Sequence, residues 1–156
     1  MTASLQIYID ADACPVRDEV YKVALRHDVP VLVVSNSYMR IMPHLLIKRM
    51  IVNDSFDAAD DFIAERCDEN SVVITADILL ADRCVKAGAQ TIGPNGKPFT
   101  PDNIGTAKAN RAMMEDLRAG AIGENFGGPP PFTGADRSRF LQTLHEALVT
   151  LKRKTK

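Results

Sequence analysis

Asp10 and Asp12 stand two residues apart at the end of an apolar run, in "LQIYIDADACPV". Side chains two apart on an extended chain point to the same side, so these two carboxylates are expected to converge on one spot. A pair about 4 Å apart repels by roughly 4 kcal/mol at an effective dielectric near 20, and therefore calls for a cation, a shared proton or abundant water. Asp77 follows another apolar run in "VITAD", with Thr75 two residues before it and Asp82 further along. Asp57, Asp60 and Asp61 head a third segment, "FDAADDFIAERC", while Ser35 and Asn36 close "VLVVSN". Short carboxylates on rigid elements suit hard, oxygen-seeking cations such as magnesium or manganese. Taken singly, each Asp reads as a turn residue, a helix cap or a favourable charge at a helix start. Taken together they point to a metal site built from Asp10, Asp12, Asp77 and one of Asp60 or Asp61. Ions held there would lower the pKa of a bound water.

The elements that would position these acids alternate. Leu5, Ile7 and Ile9 belong to a buried strand, and Pro15 suits the first turn of a helix running from Val16 to Arg26, with Val16, Val20, Val23 and Ala24 on one stripe. "VPVLVVSN" is a central strand and "RMIVND" a third, with a short helix expected between them over Ile41 to Ile47. "FDAADDFIAERC" is helical with Ala59, Phe62, Ile63 and Cys67 inward, and "SVVITAD" is a fourth strand. "ILLADRCVKAG" is a helix ended by Gly88, followed by a short strand, "AQTIG", and a turn, "PNGKP". Strands alternating with helices predict a mostly parallel sheet with helices on both faces, which places ligands beyond the carboxyl ends of the strands.

After Thr100 the pattern turns helical. Thr100 is expected to cap a helix beginning at Pro101, "GAIGENFGGPPPFTG" is an irregular Gly/Pro loop, and "ADRSRFLQTLHEALVTLKRK" is an amphipathic helix with Phe140, Leu141, Leu144, Leu148 and Leu151 inward. These helices read as packing on the same sheet, giving one domain over the 156 residues. The formal net charge of -1 supplies no overall pull toward nucleic acid or membrane. Its three cysteines, Cys14, Cys67 and Cys84, show no metal-ligand spacing, and Cys14 reads as a small buried residue beside the acids. Reduced thiols, no apparent signal segment and no span of roughly 20 apolar residues predict a soluble, cytoplasmic protein. His27, His44 and His145 are scattered and none reads as a ligand.

The segments "IDADACPV", "DAADDFIAERC", "VITADILLADRCVKAGA", "NIGTAKANR" and "GGPPPFTGADRSRF" together resemble the YaiI/YqxD family of bacterial proteins, nearly end to end. That family in turn resembles PIN-like nucleases, which share an Asp at the end of strand one, acids on a middle helix and T-x-D after strand four. Here those features match Asp10, Asp60-Asp61 and Thr75-Ala76-Asp77. The resemblance implies a three-layer PIN-like fold and one or two divalent metals. Leu79 stands where related nucleases often carry a second Asp, which leaves Asp82 to serve as the further ligand. Asp10 and Asp77 are then the catalytic pair.

The expected substrate is nucleic acid, RNA above all, held by Ser35, Asn36 and Thr75 and by cations near the rim. Those cations are Arg17, Lys108, Arg111, Arg118, Arg137 and Arg139, with N–H groups around Gly127-Gly128 as a further contact. Two other readings compete. The opening "hhhD-x-D" also resembles phosphatases of the haloacid-dehalogenase type, with Asp10 as nucleophile, Asp12 as general acid, and Ser35, Lys48, Asp77 and Asp82 completing the set. The third reading is a nucleic-acid-binding regulatory module without catalysis.

Overall fold

The computed structural model describes residues 4–11, 14–53, 55, 57–120 and 132–154, the side chains of 118–120 excepted. Apolar β-branched runs form β1 (Gln6–Asp10), β2 (Val31–Ser35) and β4 (Ser71–Ile74), with β3 (Ile47–Ile51), β5 (Gln90–Ile92) and β6 (Pro98–Phe99) outside them. Helices α1 (Arg17–Arg26), α2 (Ala58–Arg66), α3 (Ile78–Lys86), α4 (Ile104–Gly120) and α5 (Gly134–Lys154) complete the described elements.

The sheet runs β3-β2-β1-β4-β5-β6. Every neighbouring pair is parallel except β5 with β6. The chain lays down β1, β2 and β3 outward in one direction, then returns to place β4 on the other side of β1. The order therefore reverses between β1 and β4, and the carboxyl ends of these two strands flank the crevice where open α/β sheets bind ligands.

Side-chain alternation decides which layer each residue joins. Ile7 and Ile9 of β1, Val31 and Val33 of β2, and Val72 and Ile74 of β4 pack on one face beneath α1 and α5. From α1 come Val20, Tyr21, Val23 and Ala24, and from α5 Phe140, Leu144, Ala147, Leu148 and Leu151, with Leu141 at the margin. Tyr8, Val34 and Val73 pack on the other face, against Ala59 and Ile63 of α2 and Leu80 and Cys84 of α3. Asp10, Asn36 and Thr75 share the parity of Tyr8, Val34 and Val73, so all three turn toward the α2–α3 layer. Ser35 has the parity of Val31 and Val33 and turns the opposite way.

Three expectations need correction. No helix spans Ile41 to Ile47: Pro43 removes a donor from the middle of that stretch, the Leu46 amide donates to His44 Nδ1, and His44 bridges to Ile47, where β3 begins. The turn "PNGKP" does more than end β5, because it folds the chain back as β6, whose Pro98 is tolerated at a sheet edge. Helix α4 opens at Ile104, later than Pro101. Thr100 nevertheless acts as its cap, with Thr100 Oγ1 accepting from the Asn103 amide at 3.2 Å and Asn103 Oδ1 accepting from the Thr100 amide at 2.9 Å. Most of the Gly/Pro loop, Gly127 and Gly128 included, lies outside the described residues.

Candidate acidic site at the strand switch point

A cavity of about 720 Å³ opens beyond the carboxyl ends of β1 and β4. Its walls include Asp10, Asn36, Asp57, Asp60, Asp77, Arg83 and Arg111. The four acids arrive from three pieces of chain. Asp10 is the last residue of β1 and 5% exposed. Asp57 and Asp60 sit at the start of α2, and Asp77 caps α3.

Thr75 joins the two strand ends. Its hydroxyl donates to Asp10 Oδ2 at 2.8 Å and accepts from the Asp77 amide at 2.9 Å. One side chain thus orients the carboxylate at the end of β1 and fixes the turn after β4. Asp77 Oδ1 accepts from the amides of Leu79 (2.9 Å) and Leu80 (3.2 Å), as a helix cap does. The cap engages one oxygen only, and Asp77 lines the cavity as well as starting the helix.

Electrostatic crowding is visible at Asp60, whose carboxyl is pushed up to about 6 from an ordinary 3.8. Burial is the main cause; the negative charges of Asp77, Asp10 and Asp57 add to it, and Arg83 opposes it. Arg83 is anchored by Asp61, whose Oδ1 lies 2.8 Å from Nη1. Asp61 therefore serves the site indirectly, holding a cation at its wall.

Several sequence candidates lie elsewhere. Asp82 faces α4, and its Oδ2 accepts from Lys86 Nζ at 3.0 Å and Lys108 Nζ at 3.2 Å. These ammonium groups, Lys86 foremost, hold its carboxyl below the usual range. The helix face toward the cavity carries Leu79, Leu80 and Arg83, and Asp82 falls off that stripe. Lys108 is consequently an interhelical tie to Asp82. Arg17 donates to the Arg40 carbonyl, and Arg137 pairs with Glu19 at 3.1 Å, joining α5 to α1. Ser35 is buried and donates to the Ser37 carbonyl, on the face away from Asp10. Arg111 lines the cavity while paired with Glu115 at 3.1 Å. Asp12 and the side chain of Arg118 lie outside the described residues.

Of the wall residues, Arg83 escapes the sequence reading, which groups Asp57 with the rim acids without placing it among the metal ligands. Asp57 was legible, being three residues before Asp60 and so on the same side of the first helical turn. Arg83 carried no signal that separates it from any other surface cation. Cys14 is buried, and burial pushes its thiol up to about 12, which makes it a poor nucleophile.

Among the described residues, no group of three or more His, Cys, Asp or Glu side chains could together hold a metal ion. The donor set nevertheless fits one kind of ion. Magnesium keeps several of its waters and takes only one or two carboxylates directly, and the cavity offers acids from three elements with no competing nitrogen or sulfur ligand.

A family model described as uncharacterized, YaiI/YqxD family, matches residues 8–150. A relative named UPF0178 protein from Sphingopyxis alaskensis is 62% identical over 147 residues, covering 94% of this chain and 95% of its own. A second, from Nitrobacter winogradskyi, is 54% identical over 153 residues, covering 98% and 96%. A third, from Rhodospirillum centenum, is 50% identical over 151 residues, covering 96% and 98%. No solved structure matches the chain.

Proposed function

Taking as premise that the chain belongs to the YaiI/YqxD family, we propose that it is a divalent-metal-dependent phosphodiesterase of PIN-like type, acting on RNA in the cytoplasm. One observation carries this reading: Thr75 ties Asp10 to the Asp77 turn at the point where strand order reverses, and Asp57 and Asp60 border the same cavity.

One or two of Asp10, Asp60 and Asp77 would hold magnesium or manganese directly and the rest would reach it through bound water, with the remaining positions filled by water and phosphate oxygen. The ion supplies a more acidic bound water and neutralises charge on the scissile phosphate. The chain's own residues supply position. Thr75 keeps Asp10 in one rotamer, the helix cap keeps Asp77 in another, and Arg83 and Arg111 present positive charge to a phosphate entering between them.

An aspartyl phosphatase would need a lysine beside the nucleophile. Lys48 lies on the outer strand β3, and no lysine lines the acidic cavity among the described residues. That observation favours the phosphodiesterase. Calorimetric titration with magnesium and manganese, run beside cleavage assays on labelled RNA and DNA, tests the proposal. Metal binding with cleavage that Asp10→Asn abolishes is expected. A beryllium fluoride adduct on Asp10 would replace this reading with the phosphatase, and tight metal-free RNA binding without cleavage would replace it with the regulatory module.

A further inference from the structure

A second groove, of about 940 Å³, begins where the acidic cavity ends. Ala76 and Ile78 line both, so the two spaces share one wall beside Asp77. The groove runs from there between the β5–β6 hairpin and α4 toward the start of α5. Two aromatic rings border it, Phe99 of β6 and Phe132 just before α5, and Phe132 is 40% exposed. Lys97 at the hairpin and Asn110 on α4 also line it, and neither side chain has a partner among the described residues.

This wall is rigid. Gly96 takes φ +84°, and a Cβ there would lie 2.5 Å from the Phe140 amide nitrogen, so the hairpin tip rests directly on the α5 backbone. Thr143 Oγ1 donates to the Gly96 carbonyl at 2.7 Å, and Arg139 Nη1 donates to the Asn95 carbonyl at 3.1 Å. The hairpin carrying Lys97 and Phe99 is therefore held in place without a ligand.

We propose that this groove is the track for an unpaired nucleic-acid strand leading away from the scissile phosphate, which makes single-stranded nucleic acid the substrate class. The assignment rests on the phosphodiesterase reading for the identity of the adjoining cavity. The rest comes from the groove itself. The exposed Phe132 ring can accept any base by stacking beside the half-buried Phe99, Lys97 can meet the backbone, and Asn110 can hydrogen-bond a base edge. In a duplex those base faces are already covered by their neighbours, so an aromatic border of this kind rewards unpaired bases only. Continuity with a cavity that would hold the cut phosphate gives the strand a direction.

Fluorescence anisotropy in chelator tests the track apart from catalysis, using a short labelled single-stranded RNA and its duplex. The wild type should prefer the single strand. Phe132→Ala should weaken that binding roughly 5- to 150-fold, the range for losing one stacked base, and Phe132→Trp should restore it. Lys97→Ala should lower the salt slope by about 0.7, the value for one phosphate contact on a single strand. Both positions are exposed, so folding is spared, and melting curves check it. Unchanged affinity in Phe132→Ala and Lys97→Ala, a preference for duplex, or no binding at all overturns the track, whatever the cleavage assays give. Groove-dependent binding in a wild type that cuts nothing with magnesium or manganese keeps the track and removes the phosphodiesterase.

Discussion

The Thr75 hydroxyl has a single proton, and it points at Asp10: the 2.8 Å contact joins two buried residues 65 positions apart. Because the same oxygen also accepts from the Asp77 amide, the side chain cannot swing to another rotamer without breaking two bonds. Thr75→Val keeps the shape and deletes the donor. A hydrogen bond to a charged group contributes about 1.5–3 kcal/mol, and Thr75→Val should destabilise the fold by that order in denaturant titrations. Thr75→Ser should recover most of the loss. Cleavage should fall in the valine variant and return in the serine variant; equal stability in all three would show that the bond contributes nothing.

Asp60 gives a pH dependence of defined sign. Its folded carboxyl titrates at about 6 and its unfolded one at about 3.8, so between these values the folded state holds the extra proton. Stability from this group is complete below 3.8 and is lost as pH rises through about 6. At neutral pH in chelator, Asp60→Asn should therefore melt higher than wild type. Solvent screening leaves about 1 kcal/mol of the effect, a shift of roughly 2–4 °C. Millimolar magnesium should shrink or reverse the gap, and a gap indifferent to metal would separate Asp60 from any ion site.

Asp82 should behave in the opposite way. It is bound to Lys86 and Lys108 and faces away from the cavity, so Asp82→Asn should loosen α3 from α4. Both lysines are well exposed, which limits the loss to about 1 kcal/mol, or roughly 2–4 °C in melting. Metal affinity by calorimetry should not change. Loss of binding at wild-type stability would return Asp82 to the metal site.

A histidine contact between α1 and α5 predicts acid sensitivity on the far face of the sheet. His27 Nε2 lies 2.9 Å from His145 Nδ1, and Lys152 Nζ lies 3.1 Å from His27 Nδ1. Burial, then the charges of Lys152, His145 and Arg26, push His27 below its ordinary 6.5. The unfolded chain takes up the proton first, so stability is complete above 6.5 and falls as pH drops below it. His27→Gln should flatten melting temperature against pH between about 7 and 5. A wild-type curve already flat across that window would mean that His27 takes up its proton in the folded state at no cost.

Much of this arrangement was legible because period-2 alternation carries the layer assignment. Ile7 and Ile9 against Tyr8 and Asp10 is a pattern that can be read before any fold is known, and it places Asp10 at the switch point once β4 is recognised. What escaped reading depends on contacts between distant segments. Asp82 and Arg83 are adjacent in sequence, and only the packing of α4 sends one to Lys108 and leaves the other on the cavity wall. β6 has two residues and begins with proline, too little for any periodic signal, and it exists through pairing with β5. The stretch from Ile41 to Ile47 reads as a short helix, yet Leu45 ends 91% exposed because the turn at His44 sets its direction.

The seat of Gly96 on α5 bears on the order in which the molecule is completed. Thr143, which holds the Gly96 carbonyl, lies 47 positions downstream, in the middle of the 21-residue helix α5. Contacts of such separation form only after the intervening chain is available, and chains fold from the N-terminus as they are synthesised. β1, β4 and the Thr75 bridge are all made from the first half of the sequence, whereas the hairpin cannot settle until α5 has left the ribosome and docked. A nascent chain thus contains every residue of its acidic corner well before the neighbouring wall, while the opposite face of the sheet still waits for Phe140, Leu144 and Leu148 of α5. Stalled or shortened chains lacking α5 would carry the carboxylates without the surface that selects what reaches them.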